Sequence, residues 1–390
     1  MKKMISYLFR MLFNFSATVF PVKAKTVVFE SFNGKKPSDS PYAIYLALEK
    51  SQSDFACVWG VKKKFLQEAR HEFPDIQFVS RFSLQWLLLM TRANYWVFNS
   101  RMPIWLKKNK KTIYIQTWHG TPLKKLGMDI ENVSIPGTNT AVYKQEFVEE
   151  AKRWDYLVAP NQFSKEIFQR AFQFQNHFLD IGYPRNDVLV QHKDDPSYID
   201  NLKKQIIGKD TGRVILYAPT WRDDYFISKG NYRFYMPFDL KKITQLLAKE
   251  DTLIIRPHYL VGDSISVQGY EENIRICIDE DINDLYLISD LLITDYSSVM
   301  FDYAILKRPM LFYAYDYEHY KENLRGFYFD YAEVPGPIVT DEKQFYEKLQ
   351  SFLESDAFKG YQKKYNDFYQ RFCQWEDGHA AEKVAFKLAE

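Results

Sequence analysis

Cysteine is scarce: three residues in 390, Cys57, Cys277 and Cys373, widely spaced and odd in number. That excludes a disulfide framework and a zinc-finger pattern, and it fits a reducing compartment. Charge of one sign is also lacking, since 52 Lys and Arg face 50 Asp and Glu, a difference of +2 with His neutral. Wholesale nucleic-acid binding is thereby disfavoured, leaving room only for a local basic patch. No uncharged apolar run approaches the roughly 20 residues that a membrane-spanning helix needs. Arg10 and Asn14 interrupt the first apolar segment, and no small-x-small cleavage site precedes Pro21, so residues 1–20 do not read as a signal peptide. A Walker loop and a GxGxxG turn are both missing, which removes the main support for ATPase and dinucleotide readings. No Asp-x-Asp pair stands at a strand end as a metal anchor, and no internal repeat suggests a solenoid.

The chain is 46% hydrophobic and 17% aromatic, enough to build real cores, and its length suggests two domains, possibly three. Residues 1–20 form a basic, aromatic-rich helix pattern. Met4, Tyr7, Leu8, Met11, Leu12 and Phe15 recur at helical spacing, and Lys2, Lys3 and Arg10 can reach anionic headgroups. The alternatives are peripheral contact with an anionic membrane surface or an ordinary first helix packed on its own domain.

Beyond it, short apolar strands alternate with helices. Strands are expected at Thr26–Ser31, Ala56–Gly60, Ile76–Val79, Ala93–Asn99, Lys111–Thr117 and Tyr156–Ala159. After a polar break at His192–Tyr198, a second series runs through Arg213–Ala218, Thr252–Ile255, Ile274–Ile276, Leu291–Thr294 and Met310–Tyr313. This alternation is the pattern of parallel sheets covered on both faces, and two series predict an α/β protein of two doubly wound domains with a cleft between them.

Ligands of such sheets bind beyond the carboxyl ends of the strands, and five strand ends carry the relevant chemistry. Trp118-His119-Gly120-Thr121-Pro122 places a His where it serves either as a general base or as a turn cap. In Gly182-Tyr183-Pro184-Arg185-Asn186-Asp187, Arg185 offers a fork for phosphate or a salt bridge to Asp187. Pro219 and Thr220 follow a strand, with loop amides that suit a ligand, while Asp223 and Asp224 read equally as a solvated helix start. Arg256-Pro257-His258 suits an anionic group. Ser297 and Ser298 open an apolar helix, as a phosphate site or as plain N-caps, and Asp302 lies a turn further on, against a sugar hydroxyl or a packing layer. Together they are what a nucleotide-diphosphate site between two domains needs.

The segments YIQTWHGTPLKKLGMD (114–129), GYPRND (182–187), YAPTWRDD (217–224), RPHY (256–259), DLYLISDLLITDYSSVMFDYAILKRPMLFYAYD (284–316) and RGFYFDYAEVPGPIV (325–339) resemble the CDP-glycerol glycerophosphotransferase family, the teichoic-acid polymerases and primases of Gram-positive bacteria. The resemblance implies a GT-B fold and a peripheral enzyme on the cytoplasmic side of the cell membrane. It implies CDP-glycerol, or CDP-ribitol, as donor and an undecaprenyl-type lipid-linked acceptor, with no cofactor and no metal. His119 and His258 become catalytic, His119 as base and His258 on the donor. Trp118, Gly120, Thr121, Pro122, Arg185, Pro219, Thr220, Arg256, Pro257, Ser297, Ser298 and Asp302 surround the donor. The corresponding organisation is an amphipathic segment at 1–25, an acceptor-side domain at 26–195, a CDP-polyol domain at 196–360, and a terminal helix at 361–390 returning to the first domain. A GT-B nucleotide-sugar glycosyltransferase and a non-enzymatic polymer-binding module remain as rival readings.

Overall fold

The computed structural model describes residues 2–51, 54–131, 139–220, 226–228, 231–232, 235–257, 265, 267–317, 326–354 and 359–390. His258 and Trp221–Asp224 lie outside the described residues. The chain divides into two compact units: Met1–Thr121 with Leu126–Asp187 and Trp375–Glu390, and Pro122–Lys125 with Val188–Gln374.

In the first unit, strands β1 (Lys23–Glu30), β2 (Ala56–Val61), β3 (Phe78–Ser80), β4 (Ala93–Phe98), β5 (Ile113–Gln116), β6 (Tyr156–Ala159) and β7 (His177–Asp180) form one sheet in the order β3-β2-β1-β4-β5-β6-β7. Every pair is parallel. Continuous apolar runs such as Val27-Val28-Phe29 and Tyr95-Trp96-Val97-Phe98 are buried throughout, as a sheet covered on both faces requires. Phe29 stacks on Trp59 at 5.3 Å, and Val384, Ala385 and Leu388 of the last helix close the same core.

The second unit contains β8 (Val214–Tyr217), β9 (Phe226–Ser228), β10 (Asn231–Tyr232), β11 (Thr252–Ile255), β12 (Ile274–Ile276), β13 (Leu291–Thr294), β14 (Met310–Tyr313) and β15 (Ile338–Val339). Six of them form a parallel sheet in the order β12-β11-β8-β13-β14-β15, and β9 and β10 pair separately. Its core joins Ile215, Leu253, Ile255, Ile293 and Leu311 to Phe345 and Leu349 of the helix Glu342–Glu354.

Both sheets reverse their direction of growth beside their first strand, between β1 and β4 and between β8 and β13. Connections leave to opposite faces there and open a crevice at the carboxyl edge. Several elements differ from expectation, the short strands β9, β10 and β15 among them. The strand β7 was not expected, because its sequence HFLD is short and only half buried. The helix Gln362–Phe372 packs within the second unit, Phe368 and Phe372 lying 5.5 and 4.8 Å from Phe301, so the return to the first unit begins at Trp375 rather than at 361. The polar break at His192–Tyr198 likewise falls inside the second unit, which starts at Val188.

The N-terminal helix spans Lys2–Val19 and has two apolar faces. One packs inward: Phe13 is fully buried between Trp86 at 5.8 Å and Trp105 at 5.7 Å, with Ser16 and Ala17 behind it. The other, Met4, Tyr7, Leu8, Met11, Leu12 and Phe15, stays 46–64% exposed. Among the described residues no helix is long and apolar enough to cross a membrane.

The returning segment is held by side chains of the GYPRND stretch. Gly182 has φ +83°, and a Cβ there would lie 2.6 Å from Glu376 Oε2, so only glycine admits the approach. Glu376 accepts from the Tyr183 N–H at 3.2 Å and from Asn186 Nδ2 at 3.1 Å. Asp187 accepts from the N–H groups of Ala380 and Ala381 at 2.9 and 2.7 Å, capping the last helix from a distance. Burial raises the Asp187 carboxyl to about 6, against the pull of those two donors. A raised carboxyl prefers its protonated form when folded, so its contribution is full below 3.8 and declines as pH rises through about 6. Asp187→Ala is predicted to lower stability by about 1–2 kcal/mol. Asp187→Asn keeps an acceptor and loses the slope, so its stability relative to wild type should improve between about pH 4 and pH 7 in urea titrations.

Candidate active site

The carboxyl edge of the first sheet gathers the residues around His119. Thr117 and Trp118 turn the chain directly after β5. Trp118 takes φ +56°, a conformation unfavourable for a bulky side chain, and is held there by burial: its indole packs 4.8 Å from Phe172 and 6.0 Å from Phe147 and Phe168. Gln116 Oε1 accepts from the Trp118 N–H at 3.0 Å, Tyr183 Oη accepts from the Gly120 N–H at 3.3 Å, and Asn161 Nδ2 donates to Thr121 Oγ1 at 3.3 Å. The loop is thus fixed on both sides of His119.

His119 Nδ1 lies 2.7 Å from the main-chain oxygen of Asn99, the residue that follows β4. A carbonyl can only accept, so Nδ1 carries the proton and Nε2 keeps a lone pair. Protein atoms crowd the ring while the residue keeps an exposed edge. Desolvation pushes the imidazole below 6.5, the Asn99 carbonyl and Asp39 pull it upward, and Arg185 pushes it down again. Asn99 is fully buried, and its Oδ1 accepts from the Phe32 N–H at 2.8 Å and from Ser100 Oγ at 3.1 Å. The Phe32 ring meets His119 edge-on at 6.0 Å. Asn99 and Phe32 therefore stand on the two sides of the switch point between β4 and β1, with His119 beside them.

Arg185 is placed in the same unit but is buried and ion-paired, its Nη1 3.0 Å from Asp39 Oδ2 and its guanidinium 4.6 Å from the Tyr183 ring. It orders the edge and biases the charge at His119. Asp187, the alternative partner, is occupied by the last helix.

In the second unit the switch point is bridged by Thr220 and Asp295. The Thr220 N–H donates to Asp295 Oδ1 at 2.7 Å, Thr294 Oγ1 donates to the Ala218 carbonyl at 2.7 Å, and the Asp295 carbonyl accepts from Tyr331 Oη at 3.0 Å. Thr220 is thereby tied to Asp295, two residues ahead of Ser297. Ser298 is exposed and makes no side-chain cap, whereas Ser297 Oγ accepts from the Val299 N–H at 3.5 Å. Asp302 is buried a turn later. Arg256 leaves β11 ahead of the buried Pro257, with Nη1 3.0 Å from the Cys277 carbonyl and 3.9 Å from Glu280 Oε2. Pro122 packs with this unit, in a segment where the Lys125 N–H donates to the Gly326 carbonyl at 2.9 Å.

Sequence reasoning missed Asn99, Phe32, Asp39 and Asp295. Asn99 was legible in principle, as the polar residue that ends a strand. The Arg185–Asp39 pair, 146 residues apart, was not.

Fold and sites define a mixed α/β protein of the Rossmann or GT-B-like kind, with polar groups assembled at the switch points of two parallel sheets. The chain belongs to the CDP-Glycerol:Poly(glycerophosphate) glycerophosphotransferase family, whose model matches residues 12–389. It is 46% identical over 384 residues to the teichoic acid poly(glycerol phosphate) polymerase of Bacillus subtilis (strain 168), covering 98% of this chain and 51% of that protein. It therefore spans about half the length of that relative. The teichoic acid glycerol-phosphate transferase of Staphylococcus aureus (strain NCTC 8325 / PS 47) is 46% identical over 361 residues, covering 92% of this chain and 91% of that protein. Among solved structures, the wall teichoic acid polymerase TagF matches with a TM-score of 0.89 and 41% identity, covering 98% of this chain and 92% of that one.

An unprotonated Nε2 sets a testable pH dependence. The acidic limb of kcat/KM should fall below pH 6.5, with a flat profile through neutrality. His119→Ala should lower turnover by about 10²–10⁴. A limb above 6.5, or a variant with unchanged rate, contradicts this reading of the ring.

Proposed function

We propose that this chain transfers glycerol phosphate from CDP-glycerol to a hydroxyl of a membrane lipid-linked teichoic acid precursor, releasing CMP. The observation that carries the proposal is the 2.7 Å contact of His119 Nδ1 with the Asn99 carbonyl, which leaves Nε2 with the lone pair that a base needs. The acceptor oxygen attacks the β-phosphorus, its proton passes to Nε2, the bond from the β-phosphorus to the bridging oxygen breaks, and CMP departs with that oxygen. Charge on the transferred group is met by Arg256, Thr220, Ser297 and Ser298 of the second unit, joined by His258 of the family motif. Trp118, Gly120 and Thr121 hold the base in place, and Asp302 lies on the donor side.

Glycerol is favoured over ribitol by similarity. Identity is 44–46% to glycerol-phosphate polymerases and a transferase, but 25–27% to a ribitol-phosphate primase and polymerase. Work at the cytoplasmic face of the cell membrane is supported by the exposed apolar row of the N-terminal helix, flanked by Lys3 and Arg10.

The proposal is tested by incubating the full chain and a synthetic lipid acceptor with CDP-glycerol, CDP-ribitol or UDP-sugars, following CMP or UDP release and product mass. CMP release with one glycerol phosphate gained per turnover is expected from CDP-glycerol alone. Turnover of CDP-ribitol or a UDP-sugar in preference to CDP-glycerol overturns it.

A further inference from the structure

A cavity of about 650 Å³ opens in the first unit beside the N-terminal helix, a size that suits a small ligand. Its rim includes Arg10, Asn33, Arg101 and Glu146, and Met102, Ile104 and Trp105 supply an apolar wall. Two other charged side chains reach it already engaged. Arg81 is ion-paired with Glu30 at 3.0 Å. Glu150 accepts from the Met102 N–H at 3.0 Å and pairs with Arg153 at 3.3 Å.

Arg10 and Arg101 differ from these. Neither has an ion pair among the described residues, and each is held by aromatic faces. Arg10 lies 5.3 Å from the Trp105 ring, and Arg101 lies 4.0 Å from Phe147 and 5.3 Å from Tyr143. Such stacking restrains a guanidinium and leaves its N–H fork available for an anion. The apolar wall continues outward: Ile104 is 48% exposed and Trp105 packs on Phe9 and Phe13, whose helix carries the exposed row from Met4 to Phe15. On its other side the cavity is lined by chain neighbours of the residues around His119. Asn33 follows Phe32, whose ring faces His119, and Arg101 and Met102 follow Asn99, whose carbonyl binds His119.

We propose that this cavity binds the phosphate or diphosphate of an amphiphilic acceptor, with its apolar chain along Ile104, Trp105 and the exposed helix row and its hydroxyl-bearing end toward His119. The proposal rests on the lipid-linked acceptor reading above and adds the place where the anionic group is held. Glu146 is the one carboxylate on the rim with no ion pair among the described residues, and it opposes the anion.

Calorimetry with monomeric farnesyl diphosphate as probe, farnesol and inorganic diphosphate as controls, tests the site in the full chain. Arg10→Gln/Arg101→Gln should weaken farnesyl diphosphate binding by about tenfold or more, since charge-assisted hydrogen bonds to the anion are lost. Arg101→Lys should fall between, and Glu146→Gln should bind more tightly than wild type, a gain that misfolding cannot produce. Both controls should bind more weakly than the probe. No binding by wild type, equal affinity in the double Arg variant, or inorganic diphosphate binding as tightly as the probe overturns the proposal. Sedimentation with phosphatidylglycerol vesicles separates it from the membrane reading. Wild type should pellet and Leu8→Glu/Met11→Glu should not. Wild type remaining in the supernatant while binding the probe through its arginines removes the membrane surface and leaves the cavity assignment standing.

Discussion

The contact between His119 Nδ1 and the Asn99 carbonyl is the constraint on which the first unit's edge turns. A main-chain oxygen cannot rotate away or change its protonation, so it fixes ring orientation and tautomer together. Its own position comes from the parallel sheet, because Asn99 continues β4 and its side chain is locked to Phe32 across the switch point. On the other side the strained Trp118 backbone is paid for by burial of the indole among Phe147, Phe168 and Phe172. The imidazole is thus held with little freedom, between a strand end and an aromatic core.

The same logic redistributes the work of the GYPRND segment. Its charged residues are largely structural here. Arg185 neutralises the buried Asp39, Asp187 caps the last helix, and Gly182 lets Glu376 approach. Removing one member of a buried ion pair leaves an uncompensated charge, which makes Arg185 valuable to the fold independently of any ligand. Its electrostatic reach extends to His119, since a positive neighbour favours the neutral imidazole. In the second unit Thr220 and Asp295 bridge the ends of β8 and β13 at the analogous place.

Much of this was legible in the sequence, for identifiable reasons. Parallel strands buried on both faces leave unbroken apolar runs, so β1, β4, β8, β11 and β13 stood out, and with them the positions of His119, Thr220, Arg256 and Ser297 just beyond strand ends. Half-buried β7 lacks such a run and was invisible. Pairings across long sequence separations, Arg185 with Asp39 and Asp187 with Ala380, cannot be read from local pattern. Nor can the positive φ of Trp118, which a large aromatic ordinarily avoids. The N-terminal helix shows a subtler limit: its spacing revealed the row from Met4 to Phe15, yet the equally apolar Phe9 and Phe13 hid that a second face packs on Trp105.

The tautomer of His119 is the most direct test of this account. Nitrogen-15 NMR of histidine-labelled protein, with His119→Gln for assignment, reports which ring nitrogen bears the proton. The account predicts a neutral ring at pH 7 protonated at Nδ1, with Nε2 showing the shift of an unprotonated nitrogen. A neutral ring carrying its proton on Nε2, or a ring already doubly protonated at neutral pH, would contradict it.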